Sequence, residues 1–418
     1  MKKVHYSWFI LIISFFSIIV AGALIASSGV LMAPLQEEFG WERSTISLGF
    51  GISLLFYGLS GPFVAALLEK IGLRKMMIIF MSSLIIGATL TLFVTDAWQF
   101  ILVWGVIVGF GCSLFLTTLS PFVSSHWFEK RRGLVVGILT ASTATGQLLF
   151  LPLLAVIITN SSWRLALLTL IVFGIFMLII ICLFMKDKPV DLGLRPFGAV
   201  ADPIKTELEV STINPIANAF MTLRLAMKSK IFWLLGSSFF ICGFTTNGLI
   251  GTHFISYCLS FGIPLLTATS LLSFMGVFNL VGTTLSGALS DKFDNRWLLF
   301  IYYFLRGLSL IILPYALYSG NFTLLVIFTI VYGLDWIATV PPTINLTRKR
   351  FGIKSTGIVF GWIFAFHQAG AATAAYSGGL VYSITYSYTS AFLFASITCL
   401  FACLFVVLIK KEDLIQKA

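Results

Sequence analysis

An all-α integral membrane protein, with twelve transmembrane helices arranged as two pseudo-symmetric six-helix bundles, is the fold class predicted by three features of the sequence. Hydrophobic residues fill 58% of the 418 positions and charged residues only 10%, which leaves too little polar surface to cover a water-soluble globule. Apolar runs of about 20 residues, long enough to cross the hydrocarbon of a bilayer, recur twelve times. A single long polar connection follows the sixth run.

The first run, 8–32, follows Lys2 and Lys3, but it is too long for the apolar core of a signal peptide and no small-residue cleavage site follows it. It is therefore read as the first helix. The others are 46–68, 75–94, 98–125, 132–158, 163–185, 230–258, 264–289, 297–318, 322–346, 355–383 and 387–409. Residues 1–185 then form the N-terminal bundle, 186–229 a cytoplasmic linker rich in Pro, Gly and charge, and 230–418 the C-terminal bundle. Twelve spans return both termini to one side, and basic residues mark the cytoplasmic side. With the N-terminus inside, 24 of the 27 Lys and Arg residues fall in cytoplasmic segments, while Arg43 and Arg164 lie outside and Arg306 within a span. This predicts a multi-pass protein of the inner (cytoplasmic) membrane with both termini in the cytoplasm.

Composition and motifs also exclude classes of function. The net charge of +11 sits in short runs between apolar segments and forms no stripe for nucleic acid. HExxH, GxSxG and Walker A patterns are absent, and the four histidines, His5, His126, His253 and His367, are scattered. No catalytic residue, cofactor or ATP-driven step is indicated. The six cysteines lie in apolar segments without CxxC spacing, so neither a disulfide framework nor a metal site is expected.

The two halves echo each other. "ALLEKIGLRK" after the second segment aligns with "GALSDKFDNR" after the eighth, Lys70 and Lys292 being 222 residues apart. "RGLVVG" entering the fifth aligns with "TGIVFG" entering the eleventh, with Gly133 and Gly357 separated by 224. Nearly equal offsets point to a duplication. These loops resemble the signature of the major facilitator superfamily: Glu69, Lys70, Gly72, Arg74 and Lys75 match its first copy, with Ala65 in place of the leading glycine. Gly287, Leu289, Asp291, Lys292 and Arg296 match its second, with Asp294 in place of a glycine. The resemblance implies that Glu69, Lys70, Arg74, Asp291, Lys292 and Arg296 gate the cytoplasmic side by charge-assisted bonds across the bundle interface.

Within that superfamily, "WFEKRRGLVVGILTASTATG" (127–146), "SWRLALL", "DLGLRPFG" and "FHQAG" are similar to the bacterial monocarboxylate and oxalate/formate branch. Oxalate-type members carry basic residues in the eighth and eleventh helices. Here 264–289 has none and the eleventh only Lys354 at its mouth, which disfavours dicarboxylate exchange. The resemblance implies a secondary active transporter moving a small monocarboxylate-like organic anion with protons by alternating access, acting as a monomer in the lipid bilayer. An exporter of a neutral metabolite or drug, or a transporter-like sensor, shares the same architecture.

Candidate site residues follow from polar groups that hydrocarbon penalises. Asp335 stands in "IVYGLDWIATVPPT", where an ionised carboxylate costs at least about 2.5 to 3.5 kcal/mol. Arg306 and Asp335 lie nine and eleven positions from the inner ends of their segments, at depths of about 14 and 17 Å. An ion pair between them reduces the desolvation cost of each. It is either a permanent brace or a place where Asp335 exchanges a proton or meets the substrate, with Thr339 on the same face. By the resemblance, the first, fourth, seventh and tenth helices line the central cavity, and Arg306 on the ninth orients Asp335 from behind. His367 and Gln368 in the eleventh segment, and Asn247 and His253 in the seventh, are further candidates for substrate or proton. The run Thr140, Ser142, Thr143, Thr145 and Gln147 divides between cavity lining and helix packing. Pro341 and Pro342 should break the tenth helix below Asp335 and free carbonyls.

Overall fold

The computed structural model describes residues 5–199 and 215–410. The terminal lysines Lys2, Lys3, Lys411 and Lys417, with Lys205 of the linker, lie outside the described residues, as do the side chains of Glu69 and Lys354. Among the described residues, twelve helices are long and apolar enough to span a membrane: α1 (Tyr6–Ala26), α2 (Arg43–Leu68), α3 (Leu73–Thr91), α4 (Ala97–Trp127), α5 (Arg132–Asn160), α6 (Trp163–Phe184), α7 (Lys230–Ser260), α8 (Leu265–Lys292), α9 (Asn295–Tyr318), α10 (Phe322–Gly352), α11 (Ser355–Thr385) and α12 (Thr389–Val407). Small polar residues start several of them: the side chains of Ser162, Asp294 and Asn321 accept from the N–H groups of Leu165, Arg296 and Leu324. Their outward faces are apolar, as Ile175, Phe176, Ile179 and Leu183 on α6 and Ile397, Leu400, Phe401 and Leu404 on α12 illustrate. That surface suits lipid, where the helix must satisfy its own backbone.

Boundaries differ from the apolar pattern in one instructive place. The helix α1 stops at Ala26, turns at Ser27 and resumes as Ser28–Phe39, so the first hydrophobic run covers a helix and part of its continuation. Between the halves, a short helix Pro215–Ala226 follows the chain stretch described to Ala199. Its Phe220 touches Phe63 of the first half and Trp362 of the second, with ring centroids 5.5 and 5.9 Å apart. The motifs "WFEKRR" and "DLGLRPFG" prove to be in contact: Phe197 donates its N–H to Trp127 O at 2.9 Å and accepts at its own carbonyl from Glu129 and Lys130.

The halves meet along two seams. The α2–α11 seam relies on Gly58, where an added Cβ would come within 2.3 Å of Gln368 Cβ. The α5–α8 seam is tied by Gln147 Nε2 donating to Leu272 O and by Ser273 Oγ donating to Gln147 O, both at 3.1 Å. At the end opposite the linker, Arg43 closes the gap. Its guanidinium lies 3.7 Å from the Tyr382 ring centroid, donates to Tyr388 Oη at 3.1 Å and to Gln36 Oε1 at 2.7 Å. At the linker end, positions that a Cβ at Gly133, Gly137 or Gly287 would occupy meet nothing within 4 Å.

The loop arginines bind inside their own bundles. Arg74 donates its N–H to Asp187 Oδ1 at 2.7 Å and its guanidinium to Cys182 O near the end of α6. Arg296 donates to Ile409 O beyond α12 at 2.9 Å and pairs with Asp294 at 2.6 Å. The Arg296 side-chain bond, working against burial, holds the Asp294 carboxyl below its usual range. The duplicated loops thus repeat in space, each tying the third helix of its half to the sixth. Bonds across the bundle interface are not what Arg74 and Arg296 make here, because carbonyls near the end of α6 and just beyond α12 accept from them. Lys70, Asp291 and Lys292 are exposed.

Candidate functional site

A cavity of about 310 Å³ lies between the halves. It is lined by residues of α1, α2, α4, α5, α7, α8, α10 and α11, while α3, α6, α9 and α12 contribute none. Its polar groups are Ser53 and Tyr57 of α2, Ser120 of α4, Thr140, Thr143 and Gln147 of α5, Asn247 and Thr252 of α7, and Asn279 of α8. Ser28 adds a hydroxyl from the continuation of α1, and the indole of Trp336 lies on α10. Among the described residues, no lining residue is charged and none is a histidine. Recognition here therefore rests on neutral hydrogen bonds and apolar contact.

Helices that reach the cavity depart from regular α geometry, α4 through the π-type turns Ile101–Val108 and Leu114–Thr118, and α7 and α10 beside its polar groups. In α7, Phe244–Ile250 forms wider π-type turns that include Asn247. Such turns leave backbone groups to other partners, and Thr245 O accepts from Tyr332 Oη at 2.7 Å. In α10, the helix ends at Asp335 and resumes at Val340, with Pro341 and Pro342 in its first turn. Proline has no N–H to give to the turn before it, so the break falls in Trp336–Thr339, where the prolines were expected to free carbonyls. Those groups find side chains. Ser286 Oγ donates to Ala338 O at 2.6 Å, Arg306 donates to Asp335 O at 2.8 Å and Trp336 O at 3.3 Å, and Asn279 Oδ1 accepts from Ile337 N–H at 3.2 Å. Close approach of α8 is possible because position 282 is glycine: a Cβ there would lie 1.7 Å from Leu334 O.

The anticipated ion pair is present. Arg306 is fully buried and its Nε donates to Asp335 Oδ2 at 2.5 Å. Its Nη1 reaches Cys242 Sγ at 2.9 Å, and that sulfur lies 3.2 Å from Thr339 Oγ1. Asp335 and Thr339 therefore share one buried cluster, through Arg306 and Cys242, although the interrupted helix no longer places them one regular turn apart. The pair stands behind the α10 wall: Trp336 and Ile337 line the cavity, Asp335 and Arg306 do not.

Of the seven residues that the sequence nominates for substrate or proton, only Asn247 lines the cavity. His367 is buried between Phe239 and Phe364, with ring centroids at 4.9 and 5.4 Å. Gln368 is buried against Gly58 at the α2–α11 seam. His253 donates from Nε2 to Ala375 O at 2.7 Å and packs on Tyr388. The polar lining residues missed in the sequence are Ser28, Ser53, Tyr57, Ser120, Thr252, Asn279 and Trp336. Asn279 carried a usable signal, as an amide isolated in the middle of an apolar span. Among the described residues, no group of three or more His, Cys, Asp or Glu side chains is assembled that a metal would need.

The Major Facilitator Superfamily profile matches residues 11–375 and 259–417. Relatives include YcxA of Bacillus subtilis (strain 168), described as an uncharacterised MFS-type transporter, 25% identical over 383 residues and covering 90% of this chain and 89% of its own. Monocarboxylate transporter 13 of Rattus norvegicus is 23% identical over 392 residues, covering 91% and 83%. Among solved structures, the xylose transporter XylE from E. coli, in a partially occluded inward-open conformation, superposes with a TM-score of 0.72 at 14% identity, covering 98% of this chain and 99% of that one. A bacterial homolog of the human lysosomal transporter Spinster gives 0.73 at 14% identity over the whole of both chains. With twelve spans, a cavity between two six-helix halves and a family profile over most of its length, this chain belongs to the Major Facilitator Superfamily and is a secondary transporter, not an enzyme.

Proposed function

We propose that this transporter carries a small organic acid of the monocarboxylate class together with a proton, by alternating access, across the cytoplasmic membrane. The observation that carries the reading is the absence of fixed charge among the described residues that line the cavity. A carboxylate left without a counter-charge in such a site pays a desolvation penalty of several kcal/mol. A monocarboxylate that enters with its proton pays none of it, and a dicarboxylate still carries charge. Relatives named as monocarboxylate transporters, at 23 to 26% identity, support the same class. Because neither Asp335 nor His367 lines the cavity, the proton is assigned to the solute's own carboxyl.

The distribution of Lys and Arg supports an orientation with both termini cytoplasmic, and the halves, residues 1–185 and 230–418, are the moving bodies joined by the 186–229 linker. A monomer contains the whole cavity. The exposed loop residues Lys70, Asp291 and Lys292, with Glu69, are assigned to gating at the linker end, with Arg74 and Arg296 fixing each loop to its bundle. A second reading, export of an uncharged metabolite or drug, draws on the same charge-free lining.

Uptake of labelled monocarboxylates into proteoliposomes under an imposed pH gradient tests the first reading. Accumulation that follows the gradient and collapses with a protonophore is the expected result. Counterflow of a neutral solute, with no acid transported, would establish the second. A transporter-like sensor would bind solute in a thermal-shift assay and show no counterflow.

A further inference from the structure

The side-chain amides of Gln147 and Asn279 have their orientations set by the backbone. A main-chain carbonyl only accepts and a main-chain N–H only donates. Gln147 gives one hydrogen of Nε2 to Leu272 O at 3.1 Å, which fixes the amide so that Oε1 is the acceptor it offers to the cavity. Asn279 takes Ile337 N–H at 3.2 Å and Thr283 Oγ1 at 3.0 Å on Oδ1, so Nδ2 with its two hydrogens is what remains there. The two residues lie on adjoining parts of the lining. Gln147 Oε1 lies 3.5 Å from where a Cβ would stand on Gly276, and Gly276 is three positions before Asn279 on α8. Residues so spaced share a face of the helix at about 5 to 6 Å. The bare Gly276 leaves the space between them open.

We propose that Gln147 Oε1 and Asn279 Nδ2 form a paired acceptor and donor that reads the carboxyl group of the solute in its protonated form. The acid O–H donates to Gln147 and the acid C=O accepts from Asn279. An ionised carboxylate would set an unprotonated oxygen against Gln147 Oε1, acceptor facing acceptor. The pair therefore selects the neutral acid over its anion, and it accepts a primary amide, which offers the same donor and acceptor, in place of the acid. This rests on the reading of the chain as a carrier of weak acids and adds the residues that identify the acid and the form in which it enters.

The test uses the purified full-length transporter and three matched probes: phenylacetic acid, phenylacetamide and methyl phenylacetate. The ester keeps the acceptor and lacks the donor. Affinities are measured by calorimetry, with the acid followed from pH 4.5 to 6.5. The parent should bind the acid form and the amide about tenfold more tightly than the ester, the scale of one well-made hydrogen bond. Apparent affinity for total acid should fall in proportion to its protonated fraction. Gln147→Met should abolish the preference by weakening acid and amide while leaving the ester unchanged; Asn279→Leu should weaken all three. A purely structural role for Gln147 would weaken the three probes alike, or none, and either pattern would overturn the pairing. Tighter binding of the ionised acid than of the neutral acid would overturn it as well. If phenylacetic acid binds with the parent's pattern in both variants, the pairing fails and the weak-acid reading survives. If none of the probes binds at any pH, the weak-acid reading fails and the pairing with it.

Discussion

Replacing Arg306 and Asp335 singly and together measures what their ion pair contributes. Asp335→Leu leaves a guanidinium that is fully buried without its carboxylate, a change expected to cost about 3 to 5 kcal/mol. Arg306→Leu leaves the carboxylate unpaired and also withdraws the donor from Trp336 O and one of the donors to Asp335 O. Each carbonyl so stranded adds about 1 to 3 kcal/mol, less where a second donor persists. The arginine variant should thus be the less stable of the two. In the double variant no charge is left uncompensated, and the residual loss is that of the stranded carbonyl and imperfect packing. Its destabilisation should fall short of the sum of the singles by at least about 3 kcal/mol. Reversible unfolding in mixed detergent and dodecyl sulfate micelles, followed by circular dichroism, gives the four free energies of the cycle. Additivity within about 0.5 kcal/mol would refute the coupling. Equal losses in the two singles would refute the claim that Arg306 also supports the α10 break.

Ser286→Ala removes the buried donor to Ala338 O and should lower stability by about 1 to 3 kcal/mol, seen as a fall in Tm that Ser286→Thr largely restores. Arg43→Gln removes the cation–π contact with Tyr382 that bridges the halves, worth about 0.5 to 2 kcal/mol. Thiol labelling of Ser53→Cys, applied from the end opposite the linker, should then rise several-fold, and unchanged labelling would show that Arg43 does not hold that end shut. At the same end the exposed Glu38 is partly desolvated, which pushes its pKa up, but bonds from Arg164 and Trp163 outweigh this and hold it below the usual carboxylate range. Its lowered folded pKa stabilises the fold above the unfolded value of about 4.3. That contribution is lost as pH falls through the lower folded value, so the Tm gap between parent and Glu38→Gln should be open at pH 6 and close on acidification below about 4.

The spans are legible in the sequence because hydrocarbon admits only long apolar helices, and each needs its own run of such residues. Legible too is the Arg306–Asp335 pair, since an arginine and an acid at matching depths have few ways to offset their desolvation. The cavity lining is not. Helices that are apolar nearly all round do not reveal which face turns inward, and Ser53, Tyr57 and Ser120 are ordinary polar residues until the rotation of α2 and α4 is known. The π-type turns Ile101–Val108, Leu114–Thr118 and Phe244–Ile250 shift the register further, so counting at 3.6 residues per turn misplaces everything beyond them. Loop charges mislead for another reason. Their motif says that they form charge-assisted bonds but not with what, and Arg74 and Arg296 find the ends of α6 and α12 within reach.

The break in α10 connects the cavity to the buried pair through four residues of backbone. On its cavity side, Trp336 and Ile337 face the solute space and the Ile337 N–H is held by Asn279. On its other side, Arg306 and Ser286 hold the carbonyls of Asp335, Trp336 and Ala338. A regular helix keeps such groups in its own ladder, where changing one turn disturbs the next. Here side chains from α8 and α9 hold them, and those bonds exchange one at a time with water or solute. Hydrogen bonding by a solute to Asn279 Nδ2 polarises the same amide whose oxygen anchors Ile337. A solute bonded to Asn279 would thereby be coupled to the break in α10, while Gly282 against Leu334 keeps α8 and α10 in contact just before it. That arrangement accounts for a costly charged pair in an otherwise neutral span: it holds the break's backbone in place without intruding on the cavity that the break lines.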